Sequence, residues 1–84
     1  MNIAGENSQI LQSIAVNETR LGIPLIFGMD AVHGHGLYSG TTVFPMPLGL
    51  SSSWDPDIME RTAAATAAES VATGIKWTFA PILD

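Results

Sequence analysis

The chain has 84 residues, no cysteine, and a formal net charge of −5 from eight acidic and three basic side chains. That is enough for one small domain and too little for two. The singly scattered Arg20, Arg61 and Lys76 form no phosphate-binding patch, which argues against a nucleic-acid partner. Without cysteine there is no disulfide framework, thiolate nucleophile or Cys-based zinc site. No segment approaches the roughly 20 apolar residues that cross a bilayer, and the N-terminus lacks the basic and apolar regions of a signal peptide. Hydrophobic residues make up 46% and charged residues 13%. That balance suits an interior piece of something larger better than a self-contained small domain.

In chain order, Ile10, Leu11 and Ile14 recur at helical spacing and predict a helix from Glu6 to about Glu18. Pro24 prevents it from continuing. The run Ile23-Pro24-Leu25-Ile26-Phe27-Gly28-Met29 is continuously apolar and predicts a strand covered on both faces, as in a parallel sheet. Asp30 follows it directly. Residues 30–53 then read as one long connection rich in Gly, Ser, Thr and Pro, of a length that tends to be functional. Asp55 can cap a second helix, with Pro56 at its first position and Asp57 at the positive end of its dipole. This alanine-rich helix runs to about Thr73 and stops at Gly74. A second strand follows at Trp77-Thr78-Phe79-Ala80, with Asp84 just beyond. Strand, helix and strand make a βαβ unit with parallel strands. Two strands alone do not make a self-sufficient parallel sheet.

Several residues could carry chemistry. Gly34-His35-Gly36 nearly opens a dinucleotide fingerprint, but Ser39 stands where the third glycine belongs. Pro45 and Pro47 also forbid the helix that would hold a pyrophosphate. His33 and His35 are too few for zinc by themselves. The plain alternative is one histidine on a backbone carbonyl and one lining a pocket. Asp30, at the C-terminal end of a buried strand, sits where α/β folds build sites and can accept hydrogen bonds from a polyol. It reads equally well as an aspartate making a turn with the amides that follow. Asp84 ends the second strand in the same way. The two could form a carboxylate pair, with Asp84 as a turn aspartate the alternative. Glu69 lies on a helical stripe with Ile58, Thr62, Ala65 and Ala72 that looks buried. It is read as structural, with Arg61 or Lys76 as candidate partners. Trp54 and Trp77 are read as core, and Tyr38 as the better pocket residue.

Four blocks together carry a resemblance. They are Leu21-Gly22-Ile23-Pro24-Leu25-Ile26-Phe27-Gly28-Met29-Asp30-Ala31-Val32-His33-Gly34-His35, Thr42-Val43-Phe44-Pro45-Met46-Pro47-Leu48-Gly49-Leu50, Ser53-Trp54-Asp55-Pro56 and Gly74-Ile75-Lys76-Trp77-Thr78-Phe79-Ala80-Pro81. In this order and spacing they resemble the N-terminal domain of glycoside hydrolase family 3, most of all its β-glucosidase and exo-glucanase members. The resemblance implies an α/β fold, with residues 1–84 as the first βαβ portion of an incomplete TIM-type (β/α)8 barrel. It implies a retaining hydrolase of terminal β-D-glucosyl residues, acting on β-glucosides or short β-glucan or cello-oligosaccharide chains, with no cofactor or metal. Asp30 matches the family aspartate that binds sugar hydroxyls in subsite −1. Asp84 is not the nucleophile, because that residue and the acid/base lie further along the family's sequence. So does an Arg-Asp-Pro-Arg-Trp-Gly-Arg segment. On this reading the chain alone is inactive, and its partner is the rest of its own barrel. Members are often periplasmic or secreted, and the compartment of this chain stays open. The rival readings are a non-catalytic, self-associating βαβ module and a barrel enzyme for another polyol.

Overall fold

Residues 3–83 are described by the structure, a computed structural model. The element order is α1 (Ile3–Asn17), β1 (Gly28–Met29), α2 (Pro47–Ser51), α3 (Pro56–Ala72) and β2 (Trp77–Thr78). β1 and β2 pair in parallel, with Gly28 opposite Trp77 and Met29 opposite Thr78. The expected βαβ order is therefore present, with α3 in the crossover.

α3 forms for the reasons its sequence suggests. The Asp55 side chain accepts the amides of Asp57 and Ile58 at 3.0 and 3.3 Å. This satisfies two of the amides that have no partner within the helix. Thr73 closes the helix, and Gly74 follows at φ +87°, a conformation that glycine adopts without strain.

Both strands are shorter than the sequence suggests. Only Gly28–Met29 of the apolar run is strand, and only Trp77–Thr78 of the second segment. The reason lies in the pairing. The Phe27 carbonyl takes the amides of Lys76 and Trp77, both at 3.1 Å, and Met29 takes that of Phe79 at 3.0 Å. Upstream, the partner chain has turned away at Gly74, so the ladder has nothing to continue on. Gln12 of α1 fills that place. Its amide oxygen accepts from the Leu25 amide at 2.7 Å, and its amide nitrogen donates to the Leu25 carbonyl at 3.1 Å. Ser8 adds a second tie, donating to the Thr73 carbonyl at 2.6 Å. α1 is thus docked by polar contacts, which apolar periodicity does not reveal.

The connection from 30 to 53 also contains an element that the sequence reading missed. Pro47 opens the short helix α2. A proline that forbids a helix upstream is well suited to start one, because the N–H it lacks would have no partner within the helix there anyway.

The interior is small. Among the described residues, Ala15, Met29 and Ala31 are the buried apolar side chains, and His35, Ser70 and Thr73 are the buried polar ones. The chain exposes 6234 Å², where a folded monomer of its mass exposes about 4,800 Å². Its radius of gyration is 15.2 Å, against about 12 Å for a compact domain of this length. Leu48, Trp54 and Leu83 are almost fully exposed. Trp54, expected in the core, sits at φ +53° in the turn between α2 and α3. Trp77, also expected in the core, is half exposed. It packs edge-on against Phe79 at 4.9 Å, and no second layer covers the pair among the described residues.

Gly34 is a tight backbone site. It has φ +105°, and a Cβ there would lie 2.2 Å from the Thr42 carbonyl oxygen. At Gly36, φ +64°, the nearest atom to a Cβ is 3.6 Å away. In the polypeptide carrying this segment, Gly34→Ala should therefore destabilise by about 3 kcal/mol or more, and Gly36→Ala by about 1 kcal/mol. Urea denaturation of the two variants side by side measures the difference.

Candidate functional site

Asp30 follows β1 directly, and its carboxylate is exposed. Among the described residues no donor or cation meets it, so it makes no turn with the amides that follow. Its neighbours on either side, Met29 and Ala31, are buried, so the backbone that carries it is fixed while its side chain is free. Asp84, weighed as its partner, lies outside the described residues.

Beyond Asp30 the chain goes out and returns as a pinched loop. Its neck is an antiparallel bridge between Gly34 and Val43. The Phe44 amide donates to the His33 carbonyl at 2.7 Å, and His33 Nδ1 lies 2.9 Å from the Phe44 carbonyl. A carbonyl only accepts, so Nδ1 carries the proton in that pair. The close approach of the two arms is what demands glycine at position 34.

Two side chains then tie the loop to α3. His35, only 1% exposed, places Nε2 2.7 Å from the Thr73 hydroxyl. Thr73 in turn donates to the Ser70 carbonyl at 2.9 Å. With that hydrogen committed, the Thr73 oxygen accepts from His35 Nε2–H. His35 Nδ1 is then a bare acceptor, and it is buried without a partner. Tyr38 tilts over this ring at 5.4 Å, so its own ring is partly occupied in covering His35. The two histidines thus turn to different partners. Among the described residues no three His, Cys, Asp or Glu side chains gather as metal ligands would.

Glu69 makes the second tie. Its carboxylate accepts from both groups of Thr42, the amide at 2.9 Å and the hydroxyl at 2.7 Å. Arg61 and Lys76, its candidate partners from sequence, are not used, and its stripe on α3 is half-buried from Ile58 to Glu69 and exposed at Ala72. The Thr42 hydroxyl and then the Thr42 amide hold this carboxyl below the usual carboxylate range. Nothing in the sequence joins Thr42 to Glu69. They are 27 positions apart, and Thr42 shares no periodicity with the helical stripe that carries Glu69.

A groove of about 390 Å³ opens between α3, the neck of the loop and residues 75–81. Thr62, Thr66 and Ser70 face it from α3, but each hydroxyl donates back along the helix, to Met59, Thr62 and Thr66 respectively. The helix therefore presents methyl groups and small side chains. Such a surface suits packing against protein, whereas a sugar needs convergent polar groups. Asp30 is not part of its lining.

The sequence profile of the glycosyl hydrolase family 3 N-terminal domain matches residues 3–84. The chain belongs to glycoside hydrolase family 3. Its N-terminal domain is in general a TIM-barrel-type fold, in which the C-terminal ends of the strands carry the chemistry. Family 3 relatives are similar at a third or more of the aligned positions. The lysosomal beta glucosidase of Dictyostelium discoideum is 36% identical over 87% of this chain and 9% of its own length. The beta-xylosidase of Formosa agariphila is 34% identical over 100% of this chain and 12% of its own. The periplasmic beta-glucosidase of Salmonella typhimurium is 41% identical over 79% and 8%. The chain thus spans about a tenth of the length of these relatives. No solved structure matches it.

The Glu69 tie has a consequence in acid. A carboxyl held below its ordinary value binds protons more weakly in the folded state than in the unfolded one. Its stabilisation is complete above the ordinary carboxylate value and is lost as the pH falls through the lowered one. Melting temperatures of the family 3 polypeptide between about pH 6 and pH 3 should therefore fall more steeply for wild type than for Glu69→Gln.

Proposed function

We propose that this chain is the first βαβ portion of the catalytic barrel of a retaining, β-glucosidase-like family 3 hydrolase. The complete protein cleaves terminal β-D-glucosyl residues from β-glucosides or short β-glucan chains. Asp30 accepts hydrogen bonds from hydroxyls of the sugar in subsite −1. The nucleophile and the general acid/base are supplied from outside these 84 residues.

The observation that carries this reading is the state of Asp30. It is a carboxylate on fixed backbone at the C-terminal end of a parallel strand, and no donor among the described residues takes it. An ionised carboxylate accepts and cannot donate, so a polyol with its hydroxyl hydrogens is a fitting ligand. Holding the sugar by its hydroxyls fixes the anomeric carbon against the attacking carboxylate, which converts binding energy into rate. The matched relatives bear the names of β-glucosidases and a β-xylosidase. Aryl β-glucoside and aryl β-xyloside are therefore the substrates to compare.

In the full polypeptide, Asp30→Asn should lower kcat/KM on an aryl β-glucoside by about a hundredfold or more, the loss of a charged acceptor from a bound hydroxyl pair. An unchanged kcat/KM removes Asp30 from the site. The 84-residue chain by itself should show no hydrolysis. It should bind a hydrophobic dye such as ANS and lack a near-ultraviolet circular-dichroism signal, as a chain with this much uncovered apolar surface does. A sharp cooperative melt of the isolated chain contradicts that expectation and favours a self-associating module.

A further inference from the structure

We infer that Glu69 is a positioning residue for the sugar-binding carboxylate: by clamping Thr42 it fixes the pinched loop that begins at Asp30. This rests on the reading of Asp30 as a sugar ligand.

The argument is one of connectivity. The arm leaving Asp30 is held at two points. Behind it, Met29 is fixed by the Phe79 amide. Ahead of it, His33 and Gly34 are fixed by Phe44 and Val43 of the returning arm. The second point is only as firm as the returning arm itself. That arm has no sheet to join, since its pairing with the outgoing arm is a single isolated bridge. What anchors it outside the loop is Glu69, which takes the amide and the hydroxyl of Thr42 together, next to Val43. His35 anchors the opposite arm to Thr73 at the end of the same helix. The last turn of α3 and its capping residue, Glu69 to Thr73, thus grip both arms of the loop just beyond its neck. Two bonds from one carboxylate to one residue define its orientation as well as its distance, which a single contact does not.

The geometry also distinguishes the possible substitutions. Glutamine keeps both contacts, because its carbonyl accepts the Thr42 amide while its NH2 donates to the Thr42 oxygen. Alanine keeps neither. The test is steady-state hydrolysis of an aryl β-glucoside by the full polypeptide, as wild type, Glu69→Ala and Glu69→Gln, each with and without Asp30→Asn. Glu69→Ala should lower kcat/KM about tenfold, chiefly through KM, and Glu69→Gln should stay within about twofold of wild type. With Asp30 already replaced, Glu69→Ala should change kcat/KM less than about twofold, because no ligand is left to position. An equal loss in both backgrounds identifies a general folding role and overturns the inference. So does a wild-type kcat/KM in Glu69→Ala. If Asp30→Asn itself has no effect, the sugar-site reading fails and the inference falls with it. If only the Glu69 variants are silent, the inference alone fails. Amide exchange is an activity-free control. Residues 33–44 should exchange faster in Glu69→Ala and not in Glu69→Gln, and unchanged protection overturns the clamp.

Discussion

The ladder between residues 27–29 and 76–79 is the constraint on which the remaining structure depends. It is only a few hydrogen bonds long, yet it fixes where β1 ends and hence where Asp30 stands. It sets the position of α3 as well, because the helix must return the chain to the same level. Everything that acts on the loop acts from α3. His35 reaches Thr73 at the helix end, and Thr42 reaches Glu69 one turn earlier. Were β2 to slip by one residue against β1, each of these pairings would be displaced, and the pleat would turn Trp77 and Thr78 to the opposite faces.

The polar content of this small interior follows from the same constraint. A larger hydrophobic core would hold the loop by packing. Here the largest fully buried side chain among the described residues is His35, and the loop is held by hydrogen bonds to the helix end. Directional contacts of this kind fix orientation at modest net energy. On the proposed reading, they suit a segment that holds one exposed carboxylate steady while the apolar face of α3 packs against further protein.

The elements legible in the sequence were those governed by local rules. The cap at Asp55, Pro56 at the first helical position and Gly74 at the end define α3 by chemistry within a few residues of each terminus. The parallel pairing followed from the strand–helix–strand order. The place of Asp30 at the end of β1 was legible too, because it immediately follows an apolar run. What was not legible depended on contacts between distant positions. The extent of β1 is set by where β2 turns away, and that cannot be read from Ile23 to Met29. Gln12 standing in for a strand beside Leu25, and Glu69 holding Thr42, join residues with no shared periodicity. Trp54 and Trp77 were misplaced because aromatic size predicts burial only where a second layer exists to bury against.

Backbone direction alternates along a strand. Residues 27 and 29 turn their amide groups toward β2, and residue 25 turns its own toward Gln12. The groups of residues 26 and 28 therefore face the opposite edge, where none of the described residues meets them. An unpaired parallel edge beside exposed Ile26 is a template for any other extended chain. On the proposed reading, this edge stays bare for as long as a ribosome takes to deliver the closing strands, at about 5–20 residues per second. During that interval the segment is a natural client for a chaperone. On that reading, the edge that the finished barrel uses for closure is also a hazard of its synthesis.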